Sequence, residues 1–275
     1  MAQHARIPKV LSIAGSDSGG GAGIQADLKA FAACGVHGMT AITAVTAQNT
    51  VGVTAVHTIP PDTILAQVRA VSADIGVDAV KIGMLGNALT IEAVATALEE
   101  LDERTPVVLD PVMVAESGAE LLEPDARSAL VTLLLPRATV ATPNVPEARA
   151  LTATGGDLDL ESLARAVHEL GPRAVVVTGG HREQAIDTFF DGETLVELPG
   201  ERHPDRAAHG SGCTHSSVLA ARMAWGDDAL TAARAAKQLA SRAVADGLTE
   251  IGAGAGPVDV LGIAERAATS ERRAR

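Results

Sequence analysis

The sequence predicts an α/β fold in which a mainly parallel central sheet is flanked by helices on both faces. Three observations predict it. Short apolar runs such as VLSIA (10–14) and the one in RAVVVTGG (173–180) read as strands covered on both sides. These runs alternate along the chain with stretches of helical spacing. The glycines, carboxylates and amides that interrupt the apolar pattern fall directly after the strands, where parallel sheets collect ligands at their carboxyl ends.

Taken in order, VLSIA (10–14) is a buried strand that runs into glycines. IQADLKAFAACG follows, with Ile24, Leu28, Phe31 and Ala32 at helical spacing and Gly35 as the stop. MTAITAVTA (39–47) and VGVTAVHTI (51–59) are the next strands, and 61–74 is a helix with Pro61 at its start. DAVKIG (78–83), PVVLDP (106–111) and ATVATPN (138–144) are short strands separated by helices over 88–103 and 124–135. RAVVVTGG (173–180) is a further strand, AIDTFFDG and TLVEL form a hairpin, and alanine-rich helices over 213–225 and 227–246 close the fold. The tail TSERRAR is short and charged and is expected to fray. No repeat, linker or break in composition divides the 275 residues, so one domain over 1–275, with its core between 10 and 262, is expected.

Composition narrows the function. Hydrophobic residues make up 47% of the chain and aromatics 1%, with no tyrosine, so the core is built from Ala, Val, Leu and Ile. A net charge of -12 opposes nucleic-acid binding, which needs clustered Lys and Arg. The shortage of aromatics also removes the stacking surfaces used for single strands. No run approaches the roughly 18 apolar residues of a membrane span. MAQHARIPKV lacks the apolar stretch of a signal peptide. Cys34 and Cys213 are therefore expected as reduced thiols in a cytoplasmic protein.

Two glycine clusters point to phosphate chemistry. In GSDSGGGAGIQAD (15–27), the stretch from Gly21 to Ala26 fits G-x-G-x-x-A, which keeps a dinucleotide-dependent oxidoreductase as an alternative from another class. The carboxylate expected about 20 residues on is missing, since the chain there reads AITAVTAQNT. HGSGCT (209–214) is the better anion site. A two-glycine turn entering a helix points unpaired N–H groups outward with the helix dipole behind them.

AGSDSGGGAGIQADLK, TAQNTVGV, KIGML, DPVM, TPNVPEA and HGSGCT, in this order, resemble the hydroxymethylpyrimidine/phosphomethylpyrimidine kinases of thiamine biosynthesis, which belong to the ribokinase-like superfamily. The resemblance runs from about Val10 to Gly262. It implies a ribokinase-like fold and transfer of a phosphoryl group from ATP, with Mg2+, to the hydroxymethyl group of 4-amino-5-hydroxymethyl-2-methylpyrimidine. A second transfer onto the monophosphate would give the diphosphate. A pyridoxal-type kinase of the same superfamily is the nearest alternative, because its substrate is also a small ring bearing a hydroxymethyl group. A non-catalytic vitamin-binding protein is a further one. The expected partners are small molecules only, and a homodimer is the expected assembly.

The same resemblance implies roles for individual residues. The backbone of Gly210, Ser211, Gly212 and Cys213 would hold charge on the transferred group, and the Cys213 thiol stands where many relatives place a general base. A helix N-terminus lowers a thiol's pKa, so a thiolate is expected there, with a small buried hydrophobe as the alternative. Gly15, Asp27, Gln48, Met84 and Val112 would line the substrate pocket. The Gln48 amide matches an aminopyrimidine edge, whereas Met84 taken alone reads as core. Asp110 and Glu147 would hold the metal, and Asn144, Thr178 and Lys237 would bind ATP. Residues 115–121 and 200–208, polar and bearing glycine or proline, are candidate lids. One departure stands out. Many relatives carry lysine where this chain has Thr178 in Thr178-Gly179-Gly180-His181, so either Arg182 or Lys237 supplies the charge or ATP binds more weakly. Thr178→Lys is expected to lower the KM for ATP in steady-state assays, and an unchanged or raised KM contradicts the missing charge.

Overall fold

The computed structural model describes residues 6–154, 158–179, 185–203 and 205–274. Gly180, His181 and Arg182, and Pro204 within the second candidate lid, lie outside the described residues. The chain runs β1 (Lys9–Ala14), α1 (Gly23–Ala33), β2 (His37–Ile42), β3 (Ala44–Asn49), β4 (Gly52–Thr58), α2 (Pro61–Asp74), β5 (Ala79–Ile82), α3 (Ala88–Glu99) and β6 (Val107–Leu109). It continues with α4 (Ala126–Ala129), β7 (Val140–Ala141), α5 (Val145–Thr152), α6 (Leu160–His168), β8 (Ala174–Val177), β9 (Asp187–Phe190), β10 (Leu195–Leu198), α7 (Ser211–Ala224), α8 (Ala229–Ala245) and α9 (Ile263–Ala274).

Eight strands form one sheet in the order β10-β9-β8-β7-β6-β5-β1-β2. Every pairing from β2 to β8 is parallel, and β9 runs antiparallel to both of its neighbours. The chain starts at β1, steps outward to β2, then returns to β5 on the other side of β1. This reversal is a switch point of the kind that leaves a crevice beyond the strand ends.

The two-residue period of the strands sorts the core into two layers. Leu11, Ile13, Val80, Ile82 and Leu109 pack with residues of α2 and α3 on one face. Val10, Ala79, Val108, Val140 and Val176 pack with residues of α1, α7 and α8 on the other. The alternation places Ser12 and Lys81, neighbours in the β1–β5 register, on the face of α1 and α7.

Several elements differ from the sequence expectation. MTAITAVTA is two strands and not one, because the chain leaves the large sheet at Thr43. The Thr43 hydroxyl donates to the Met84 carbonyl at 2.7 Å, and β3 then pairs antiparallel with β4 in a separate two-stranded ribbon. The helix expected over 124–135 is only α4, followed by a π-helical turn over Leu130–Leu134 and a 3-10 turn over Leu135–Arg137. Pro136 has no N–H to continue an α-helix there. The alanine-rich pair does not close the fold, and the tail expected to fray is helical through α9. No element was assigned by sequence to 158–170, where α6 runs with the Asp159 side chain accepting from the Ser162 N–H.

Candidate active site

The carboxyl ends of the strands open onto a cavity of about 260 Å³. Strand order sets the order of groups along its floor. Gly15 follows β1, Met84 follows β5, Asp110 follows β6, Asn144 follows β7 and Thr178 follows β8. All five line the cavity, as do Gln48 from the ribbon, Val112, Glu147, Lys237 and the turn formed by Gly210, Ser211, Gly212 and Cys213. Parts of both candidate lids, including Glu116 and His203, also line it.

Asp27 does not line the cavity. It is fully buried, with Ser12 and Ser217 donating to it at 2.6 and 2.7 Å and the Lys81 ammonium at 2.9 Å. The side chain expected to accept from a substrate is instead the counter-ion of a lysine. Lys81 has no solvent exposure, sits 3.9 Å from Asp110 and borders the cavity. Burial opposes its charge, but Asp27 and Asp110 outweigh this and hold its pKa above the usual lysine value. Sequence reasoning missed its role, although a charge inside the apolar strand DAVKIG is a signal, since a cation there must be paired.

The anion turn is built by glycine. Gly210 has φ of 82°, and a Cβ there would lie 1.8 Å from the Gly21 carbonyl oxygen. A Cβ on Gly21 would in turn strike the His209 ring at 2.2 Å. The two glycine clusters therefore pack directly on each other. The Ser211 N–H does not face the cavity as expected, because it donates to the Ala208 carbonyl at 3.0 Å. Gly212 and Cys213 occupy the next positions of α7, where helix geometry supplies no acceptor for the N–H.

Cys213 is not the expected thiolate. Burial pushes its pKa up to about 12, against the pull of Lys81 and an N–H donated by Gly23. Desolvation outweighs the helix dipole, so the thiol is neutral at pH 7. Cys34 is half-buried and its thiol is likewise pushed up by burial.

Asn144 and Glu147 form a capping box, each side chain accepting the other's N–H at 2.9 Å. Glu147 is pushed up to about 8, first by burial and then by the charge of Asp110. Asp110, which accepts from Ser216 at 2.9 Å, is raised by burial. Two crowded carboxylates on one cavity wall, both disfavoured as anions, form a hard-oxygen pair suited to a divalent cation. Among the described residues no group of three or more His, Cys, Asp or Glu side chains could hold a metal. The pair fits Mg2+, which keeps waters and shares its shell with phosphate. Lys237 is not a solvated surface residue. It donates to Asp187 at 2.7 Å and is 12% exposed.

Residues 17–259 match the family model for phosphomethylpyrimidine kinase. The chain belongs to the phosphomethylpyrimidine kinase family. A relative in the family, the hydroxymethylpyrimidine/phosphomethylpyrimidine kinase of Rhizobium meliloti strain 1021, is 51% identical over 255 residues, which cover 90% of this chain and 95% of the relative. Among solved structures, the ADP complex of Bacillus subtilis pyridoxal kinase is similar with a TM-score of 0.84 and 38% identity, covering 94% of this chain and 99% of that one. The phosphomethylpyrimidine kinase of Clostridium difficile 630 is similar with a TM-score of 0.76 and 37% identity, covering 87% and 100%. The chain is thus a kinase with the ribokinase-like fold.

Asp17 and His209 were missed by sequence reasoning. Asp17 is 1% exposed, and its carboxylate accepts N–H groups from Gly19, Gly21 and Ala22 at 2.8, 3.0 and 2.8 Å. His209 Nε2 donates to the same carboxylate at 2.9 Å, which ties the first glycine loop of this kinase to the second. Burial raises the Asp17 pKa, but these hydrogen bonds outweigh it and hold the group below the usual carboxylate range. A depressed folded-state pKa contributes stability above the unfolded value, about 3.9, that is lost as pH falls through the lower folded one. Asp17→Asn is expected to cost about 2 kcal/mol at pH 7. In thermal unfolding that deficit should shrink below about pH 4, as the wild type loses the same contribution. An equal deficit at pH 7 and pH 3 contradicts this role.

Proposed function

We propose that the chain phosphorylates 4-amino-5-hydroxymethyl-2-methylpyrimidine from ATP, and then its monophosphate to the diphosphate, as a step of thiamine biosynthesis. The observation that carries this reading is the order of groups along one cavity. Gly15, Gln48, Met84 and Val112 gather at the β1–β5 end, and Asn144, Thr178 and Lys237 at the β7–β9 end. The helix N-terminus with Cys213 belongs to the same cavity as both groups. The Gln48 side chain is half-buried and offers amide hydrogens to an aminopyrimidine edge, while Met84 supplies an apolar wall. The nucleotide occupies the opposite end.

The chemistry follows from position. A hydroxymethyl group at the β1–β5 end faces a phosphate held at the other, and the N–H groups of Gly212 and Cys213 receive charge on the group in transit. Asp110 and Glu147 would hold Mg2+, which when bound neutralises charge on the phosphate oxygens. Lys81 keeps a fixed positive charge beneath the acceptor. A homodimer is part of the same reading. Two unpaired thiols support a reducing, cytoplasmic setting.

Similarity to a pyridoxal kinase at 38% identity supports a second reading, in which pyridoxal is also accepted. An assay of ATP-dependent turnover, with hydroxymethylpyrimidine and pyridoxal side by side and the mono- and diphosphate followed separately, tests both. Higher kcat/KM on the pyrimidine, with diphosphate formed, is expected. No turnover of the pyrimidine contradicts the assignment.

The neutral thiol also predicts the weight of Cys213 in the reaction. With Cys213 pushed up to about 12, the backbone hole and not a thiolate carries the reaction. Cys213→Ala should then lower kcat by less than about tenfold, whereas loss of a general base costs about 10²–10⁴. A loss in that larger range contradicts the hole-based account.

A further inference from the structure

One buried group at the nucleotide end has no role in this scheme. His215 lies in the second turn of α7, its side chain 6% exposed, and it lines the cavity. Among the described residues neither Nδ1 nor Nε2 has a hydrogen-bond partner. A buried polar group without a partner destabilises the fold, so its presence calls for a function. Among the described residues the acid beside it is Asp187, with Nε2 and Oδ2 3.8 Å apart, too far for a hydrogen bond.

Asp187 is itself buried, and among the described residues only its other oxygen accepts a hydrogen bond. Oδ1 accepts from Lys237 Nζ at 2.7 Å and from the Gly179 N–H at 3.0 Å. Thr178, the neighbour of Gly179, brings no charge to this end of the cavity, so Lys237, which lines it together with Arg202, is a cation at hand for a polyphosphate. Drawing that ammonium away strips a buried carboxylate of its counter-charge, which is costly unless another cation replaces it.

We propose that His215 is a positioning residue for the nucleotide: as Lys237 turns from Asp187 to the phosphates, the His215 imidazole closes onto Asp187 Oδ2 and takes its place. This rests on the nucleotide lying at the β7–β9 end. The one bond that forms is an N–H on the imidazole, made with a proton from solvent. One proton passes from solvent to the imidazole for each nucleotide bound, and the resulting N–H donates to Oδ2. The charges favour the exchange. Burial holds the imidazole below its usual pKa, Asp187 pulls it up, and Lys237 pushes it down. Departure of the ammonium removes the opposing charge and leaves the favourable one. Among the described residues the charged groups that face His215 are Asp187 from β9 and Lys237 from α8. Asp27, Lys81 and Asp110, which meet α7 from α1, β5 and β6, are engaged with Ser217, with one another and with Ser216.

The test is calorimetric titration of ADP with magnesium chloride and no acceptor, in two buffers of different ionisation enthalpy at pH 7. It is run on the wild type, His215→Leu and His215→Gln, alongside thermal unfolding of each. The wild type should take up close to one proton per ADP. His215→Leu should take up none, bind ADP about tenfold more weakly and unfold at a higher temperature, since leucine buries no unpaired nitrogen. His215→Gln, which keeps a neutral donor, should recover part of the affinity without proton uptake. A Kd for His215→Leu within twofold of wild type, or unchanged proton uptake, overturns the proposal. Failure of the wild type to bind ADP at all refutes the kinase reading on which it rests, and the proposal with it.

Discussion

A lysine ammonium without contact to solvent holds the site of this kinase in place. Lys81 comes from β5, and its partner Asp27 from α1. Ser12 of β1 and Ser217 of α7 complete the hydrogen bonds to that carboxylate. Four elements thus meet at one buried charge pair. Such a pair is stable only when geometry is good and the remaining lone pairs are satisfied. The two serines meet that condition, so α1 and α7, each of which opens with a glycine turn, are fixed relative to the strand ends.

Backbone N–H groups make a useful anion site only if the turns that carry them are rigid. Here the rigidity comes from contact between the turns. The Gly21 carbonyl leaves no room for a Cβ on Gly210, the His209 ring leaves none for a Cβ on Gly21, and His209 bridges to Asp17, which gathers three N–H groups of the first loop. The cysteine at the mouth of α7 then sits among buried groups and against the Gly23 N–H. Its placement beside glycines and a helix dipole suggested a thiolate. The structure adds the burial that keeps the thiol protonated.

How much of this was legible depended on whether the deciding interaction was local. The parallel sheet, α1, α2 and the β9–β10 hairpin follow from periodicity and turn residues within each segment, and the gathering of the residues after the strands around one cavity follows from the order of motifs. Asp27 was misjudged because its i, i+4 surroundings do not show that Lys81, 54 residues away, needs a counter-ion. Asp17 and His209 are 192 positions apart and each looks ordinary alone. The break at Thr43 depends on the Met84 carbonyl, which no strand pattern contains. α6 is different, because Leu160, Leu163, Ala164 and Val167 carry a plain helical period behind an Asp159 cap.

The most direct test of the account is denaturant unfolding of the wild type, Lys81→Met, Asp27→Asn and the double variant. Removing either partner alone leaves a buried group uncompensated, so Lys81→Met should lose about 3–5 kcal/mol. The double variant should lose less than the sum of the single losses, with a coupling of at least about 2 kcal/mol. Losses that add to within about 0.5 kcal/mol would contradict a fold and site organised around this pair.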